Sequence, residues 1–465
     1  MDVEAALVGA VECGTLHVRE NRRGGTGAVS LLVTLLTPAG GSADDPLLVV
    51  GTDLATRPNY AGIGTLAQKT GRGVIFLEQR GTAHSDPLLA CPVDDLAQER
   101  AWSARTGSPA WRRLAARATA TCYTYLKGRG IDVAAYSVGE MSEDLADLIE
   151  VMGLAPVDLV GYGSTSRIIL ELLRRHPGLV RAAVLDSPDV PGVDPRAGAA
   201  ATTHRALRTV LGWCQSDHRC RARYDRPGTL MDRALRSLAE RPLSVTVAVS
   251  GSQQRVVLDP ALLVRVARQS LTDGGSAGVW GEPTAVPRLL ATVLDRDVRR
   301  LSLALTELLG AQGPWCAGYR GKCMTAHAVY EGVWNTVLCR DVAPDGAVRT
   351  TSRPRPAALR RAYDHAWWWE VCPHWPVPQE GGAADTGVRS DVPVLVLAGG
   401  LAATTQADEL RSALAGLPHA SVVVDPTGSH NVVGNPCLGE LRIAWLEDPR
   451  PLVGEPACLP DRLEW

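Results

Sequence analysis

Phenylalanine is almost missing from this chain, with Phe76 alone among 465 residues. Lysine is nearly as scarce, at Lys69, Lys127 and Lys322, so arginine carries the positive charge. No apolar stretch approaches the roughly 18–20 residues of a membrane span, so no membrane association is expected. No basic run is long enough to track a phosphate backbone, and 48 Lys+Arg balance 50 Asp+Glu, so nucleic acid is not an expected partner. Met1 to Glu12 lack a basic start and an apolar run, so no signal peptide is expected and a cytoplasmic location is. There is no C-x-x-C and no histidine at finger-like spacing, so neither a metal nor a cofactor is expected. What remains is a small-molecule partner.

What is present is a chain able to bury a large core, 45% hydrophobic and 21% charged. At this length one large domain with an insertion, or two domains, is the prior. Eleven cysteines are many. Several fall in pairs: Cys91 with Cys122, Cys214 with Cys220, Cys316 with Cys323, Cys339 with Cys372, and Cys437 with Cys458, leaving Cys13 over. Connectivity cannot be read from one sequence. The pattern is that of a disulfide framework of secreted proteins on a chain without a visible export signal.

Strand-like stretches rich in Leu and Val cover 30–36, 46–50 and 73–77, followed by a polar turn at 78–85. Helical periodicity occupies 102–127 and 142–152, the latter with Leu145, Leu148 and Ile149 on one face. A short strand at 157–160 meets the turn Gly161-Tyr162-Gly163-Ser164-Thr165, then a helix from about 166 to 175 that His176-Pro177 ends. Another strand, 182–185, is closed by Asp186-Ser187-Pro188. Such alternation predicts a parallel sheet covered on both faces. From about 190 to 385 the chain reads as mostly helical, and this segment holds eight of the twelve tryptophans, including Trp367, Trp368 and Trp369. Sheet character returns at 392–398 and 421–424, joined by a helix at 406–414. The expected organisation is an α/β core from 1–190 and 386–465 with a helical cap, 191–385, inserted between.

A strand feeding Gly161–Thr165 and then a helix has the context of a G-x-S-x-G nucleophile elbow. With it, the chain resembles the tripeptidyl-aminopeptidase and proline-iminopeptidase branch of the α/β-hydrolase superfamily. Glu78-Gln79-Arg80-Gly81-Thr82-Ala83-His84-Ser85 is similar to that branch's D-Q-R-G-T-G-x-S turn. Val184-Leu185-Asp186-Ser187-Pro188, Pro393 to Gly399 and Gly428-Ser429-His430 resemble its later strand ends and histidine turn. The resemblance runs from about Cys13 to Cys458. It implies an α/β-hydrolase fold, a mostly parallel sheet of about eight strands with helices on both faces and an inserted cap.

The departures decide the functional expectation. In the family register the nucleophile position falls on Gly163 and the elbow's second glycine on Thr165. The acid position falls on Ala402, and the oxyanion loop reads Gly51-Thr52-Asp53-Leu54. Only His430 survives, and a triad without serine and carboxylate cannot run its mechanism. Candidate catalytic groups are therefore His430, as general acid or base, and Asp53, which sits where a ligand would approach. Tyr162, Gly163, Ser164, Glu78, His84 and Trp368 are candidate substrate contacts at strand ends or in the cap. The expected function is a non-hydrolytic enzyme of cyclase, lyase or isomerase type acting on an apolar small molecule, a setting that suits secondary-metabolite biosynthesis. The alternatives are a hydrolase whose water is activated by His430 or Asp53, and an inert ligand- or partner-binding pseudohydrolase.

Overall fold

The computed structural model describes residues 8–465 except 52–56, 92–96, 98–99, 194, 250–251, 272–277, 311–313, 316–323, 326–330, 343–369, 380–386, 404–405, 431 and 433. The chain opens with strands β1 (Val8–Arg19), β2 (Ala28–Pro38) and β3 (Ser42–Gly51), then helix α1 (Arg57–Thr70) and β4 (Arg72–Glu78). Helices α2 (Pro109–Gly128) and α3 (Val138–Val151) lead to β5 (Val157–Tyr162), α4 (Ser166–Arg175) and β6 (Val180–Asp186). The intervening segment brings α5 (Pro195–Ser216), α6 (His218–Arg223), α7 (Leu230–Glu240), β7 (Leu243–Val249) and β8 (Ser252–Leu258). It continues with α8 (Pro260–Gln269), α9 (Val286–Leu294), α10 (Val298–Gly310) and α11 (Glu331–Val337). The chain then returns through β9 (Val394–Gly399), α12 (Ala407–Ala413), β10 (Ala420–Asp425) and α13 (Pro436–Glu447).

The main sheet has eight strands in the order β1-β2-β4-β3-β5-β6-β9-β10. β1 and β2 pair antiparallel, as do β2 and β4; the ladders from β4 through β10 are parallel. Successive side chains of a strand point to opposite faces, so a sheet covered twice needs apolar residues at every position. β4 supplies them over Val74–Leu77 and β5 at Leu159 and Val160. Ile75, Leu77 and Leu159 join the cluster on one face, and Val74, Phe76 and Val160 the cluster on the other. Truncating any one of them, such as Leu159→Ala, removes about 2–5 kcal/mol of stability.

Local signals set the helix ends. Ser137 caps α3 by accepting from the Glu140 N–H, so this helix begins four residues before the stretch 142–152 that periodicity alone marks. Ser108, followed by Pro109, caps α2, which starts well after the expected 102. The β7–β8 hairpin lies within the segment expected to be mostly helical. Leu243, Val245 and Val247 recur at the two-residue period of a strand and are all buried. Among the described residues four disulfides join Cys91–Cys122, Cys214–Cys220, Cys339–Cys372 and Cys437–Cys458. Cys13 is a free, exposed thiol, and Cys316 and Cys323 lie outside the described residues. No described helix is long and apolar enough to cross a membrane.

Candidate functional site

The parallel strands β3, β5, β6 and β9 end on the same side, where the chain must turn sharply to start each following segment. At the tip of β5, Gly163 has φ +51°, the left-handed region that a residue without Cβ enters at little cost. The Thr165 hydroxyl accepts from the Tyr162 N–H at 3.0 Å and donates to the Tyr162 carbonyl at 2.9 Å, closing the turn on itself. The Asp189 N–H donates to the Gly163 carbonyl at 3.0 Å and fixes the orientation of that peptide.

His430 reaches this turn because its loop lies directly on the end of β9. A Cβ at Gly399 would overlap the Ser429 carbonyl oxygen, so only glycine permits the approach. The Leu401 N–H donates to the Gly428 carbonyl at 2.9 Å, and the His430 N–H donates to the Leu271 carbonyl, beyond α8, at 3.1 Å. The core and the intervening segment therefore hold the histidine from two sides. A Cβ placed on Gly163 would stand 3.5 Å from His430 Nε2. Desolvation lowers the His430 pKa, and Arg268 adds to that while Asp189 opposes it. The imidazole is therefore neutral at neutral pH, able to accept a proton.

Between these groups lies a cavity of about 410 Å³. Tyr162, Gly163, Ser164, Asp186, Ser187, Gln79 and His430 supply its polar lining. Val50, Phe76, Met141 and Ile168 from the core, with Val333, Trp334 and Val337 from α11, supply much of the apolar lining. Asp186 closes β6 and is only 2% exposed. Its Oδ1 accepts from the Ser187 hydroxyl at 2.9 Å, while its Oδ2 is buried without a hydrogen-bond partner. Burial pushes this carboxyl up to about 7, against the opposing pull of the Ser187 hydroxyl, Arg442 and the Val432 N–H. The Tyr162 hydroxyl accepts from Arg442 Nη1 at 3.2 Å, and burial raises its pKa. Among the described residues no group of three His, Cys, Asp or Glu side chains is arranged to hold a metal ion.

A family model described as alpha/beta hydrolase fold matches residues 45–434. The chain belongs to the α/β-hydrolase fold family. No curated protein matches the sequence. Solved structures similar to this α/β-hydrolase include a bromoperoxidase from Bacillus anthracis, 11% identical with a TM-score of 0.39, covering 94% of this chain and 100% of that one. Epoxide hydrolase A from Mycobacterium thermoresistibile is 15% identical, with a TM-score of 0.36 and coverage of 95% and 100%. A thermophilic esterase from Thermogutta terrifontis is 13% identical, with a TM-score of 0.37 and coverage of 94% and 99%.

Within this α/β-hydrolase, Tyr162, Gly163, Ser164 and His430 come together around the cavity. Glu78 and His84 are not among its lining residues. The buried Glu78 carboxylate accepts from the His84 N–H at 3.0 Å and lies 3.1 Å from His84 Nδ1, closing the turn after β4. Asp53 and Trp368 lie outside the described residues. Ala402 is buried in the turn after β9, its carbonyl accepting from the Gln406 side chain at 3.1 Å. Asp186, Ser187 and Gln79 line the cavity without having been singled out as contacts. Asp186 had a signal available, an acid at a strand's carboxyl end, which reads equally well as a simple strand stop.

Proposed function

We propose that this α/β-hydrolase is a non-hydrolytic enzyme of cyclase, lyase or isomerase type that moves protons on an apolar small molecule through His430. The observation that carries the reading is the pairing of Gly163 with His430. In the register of the tripeptidyl-aminopeptidase-like branch, Gly163 holds the nucleophile position, yet it offers His430 Nε2 no hydroxyl to activate. His430 is present beside the cavity, with its pKa lowered by burial. Ala402 at the acid position leaves no carboxylate there to orient an imidazolium, so acyl transfer through a serine triad has lost its parts. A general base in an apolar crevice still has work to do on a ligand whose reaction needs shape and one proton transfer.

The test uses a fluorophosphonate probe followed by intact-mass measurement, with generic ester and aminopeptide substrates in parallel. No adduct and background hydrolysis are expected. Stoichiometric labelling of Ser164, which lines the cavity, would return the protein to the serine hydrolases. The neutral imidazole also favours a second reading, hydrolysis by a water that His430 activates. Ester turnover without any adduct, abolished in His430→Ala, would establish that route.

A further inference from the structure

We infer that Asp186 is a second proton-transferring residue of the crevice, exchanging a proton with the ligand through Oδ2 while His430 exchanges another. The inference deepens the proton-transfer reading above and rests on it. A buried carboxyl oxygen without a partner is unfavourable, and Asp186 Oδ2 is such an oxygen in a residue lining the cavity. The Ser187 hydroxyl occupies the other oxygen, and Ser187 itself sits at φ +46°, a conformation a non-glycine residue adopts at a cost. The turn after β6 thus carries an acid with one oxygen lacking a hydrogen-bond partner and a strained residue at the same place, both lining the cavity.

The charged surroundings of Asp186 are specific. Arg442 reaches it from α13, Tyr162 from β5, and the Val432 N–H from the histidine loop. β9, its neighbour in the sheet, contributes only Val394, Leu395, Val396, Leu397, Ala398 and Gly399, none of which titrates. Arg442 is shared with the Tyr162 hydroxyl, so burial prevails and the acid is held partly protonated at neutral pH. His430 is shifted the other way. Two groups pushed in opposite senses divide the roles of acid and base. His430 Nε2 takes a proton from a ligand carbon while Asp186 Oδ2 gives one to a ligand oxygen. The pair then stands as imidazolium and carboxylate, and proton exchange with solvent restores it. The ligand class that fits is an apolar molecule with an acidic C–H next to a carbonyl or another oxygen acceptor.

Benzisoxazole without a nitro group tests this on the full chain, because its ring opening takes a base for the C–H proton and releases a phenoxide oxygen basic enough for an acid to assist. Wild type should open it faster than buffer, with a pH dependence centred near 7. Asp186→Asn should lower the rate roughly 10²-fold and remove that titration, the lower end of general acid–base effects. An unchanged rate and profile in Asp186→Asn, with the rate lost in His430→Gln, would make Asp186 structural and leave the proposed function standing. A wild-type rate equal to buffer would overturn both. Should Asp186→Asn fail to fold, infrared titration of the wild type decides: a protonated carboxyl band vanishing near pH 7 is expected, and no such band at neutral pH overturns the inference.

Discussion

At the end of β4 the charges are matched. Arg80 is fully buried, its Nε and Nη2 each donating to Asp144 at 2.6 Å and its Nη1 to the carbonyls of Glu20 and Ala135. Arg22 adds Glu140, Asp144 and Asp147, and Glu78 closes on His84. Three strands away, at the end of β6, the matching stops: Asp186 is as deeply buried, yet one of its oxygens has no partner. Both turns follow buried strands of one sheet. Burial alone therefore does not decide whether a charge is structural. The partner does, because a bidentate ion pair spends its charge on the fold while an unpaired carboxyl keeps its proton exchangeable.

The largest effect should come from breaking the matched turn. Arg80→Ala leaves Asp144 with Arg22 alone and takes the donor from the Glu20 and Ala135 carbonyls, and should cost about 3–5 kcal/mol, the range for removing one partner of a buried pair; urea denaturation measures it. Asp186→Asn should act in the opposite sense and only at higher pH. The raised carboxyl contributes stability that is fully present below its unfolded value of 3.8 and is lost as pH rises through about 7. Asparagine does not titrate, so the stability of the variant should gain on wild type between about pH 4 and pH 8, by a few kcal/mol at roughly 1.4 kcal/mol per pKa unit, and melting temperatures measured across that range should show the gain. A constant difference across that range would mean that Asp186 has an ordinary pKa.

Gly163→Ala should follow, at about 1–3 kcal/mol for a side chain forced into the left-handed region. The added Cβ meets His430 only at ordinary contact distance, so strain rather than collision sets the loss. A loss above that range would mean that the site is tighter than its geometry indicates. His84→Ala should be smallest, below about 1 kcal/mol, because the ring is 41% exposed and water screens its pairing with Glu78.

The order of strands and helices was legible because each rests on contiguous residues. The apolar run at β5, the glycine turn after it and His176-Pro177 at the end of α4 are local statements, and the α/β-hydrolase fold follows from their sequence order. The β1 strand escaped notice because its partly exposed residues, Glu12 and His17 among them, do not form an apolar run. The lining of the candidate cavity was legible in part. Tyr162, Gly163, Ser164 and His430 announced themselves through motif position. Asp186 did not, because its character depends on burial under other elements and on Arg442 and Val432, which are distant in sequence.

By itself the sequence determined which side chains stand at the strand ends, above all a glycine at Gly163 and a histidine at His430. Only the tertiary structure decided their ionisation. Side-chain identity is a property of one position, whereas a pKa is a sum over desolvation and charges contributed by every element that packs around the group.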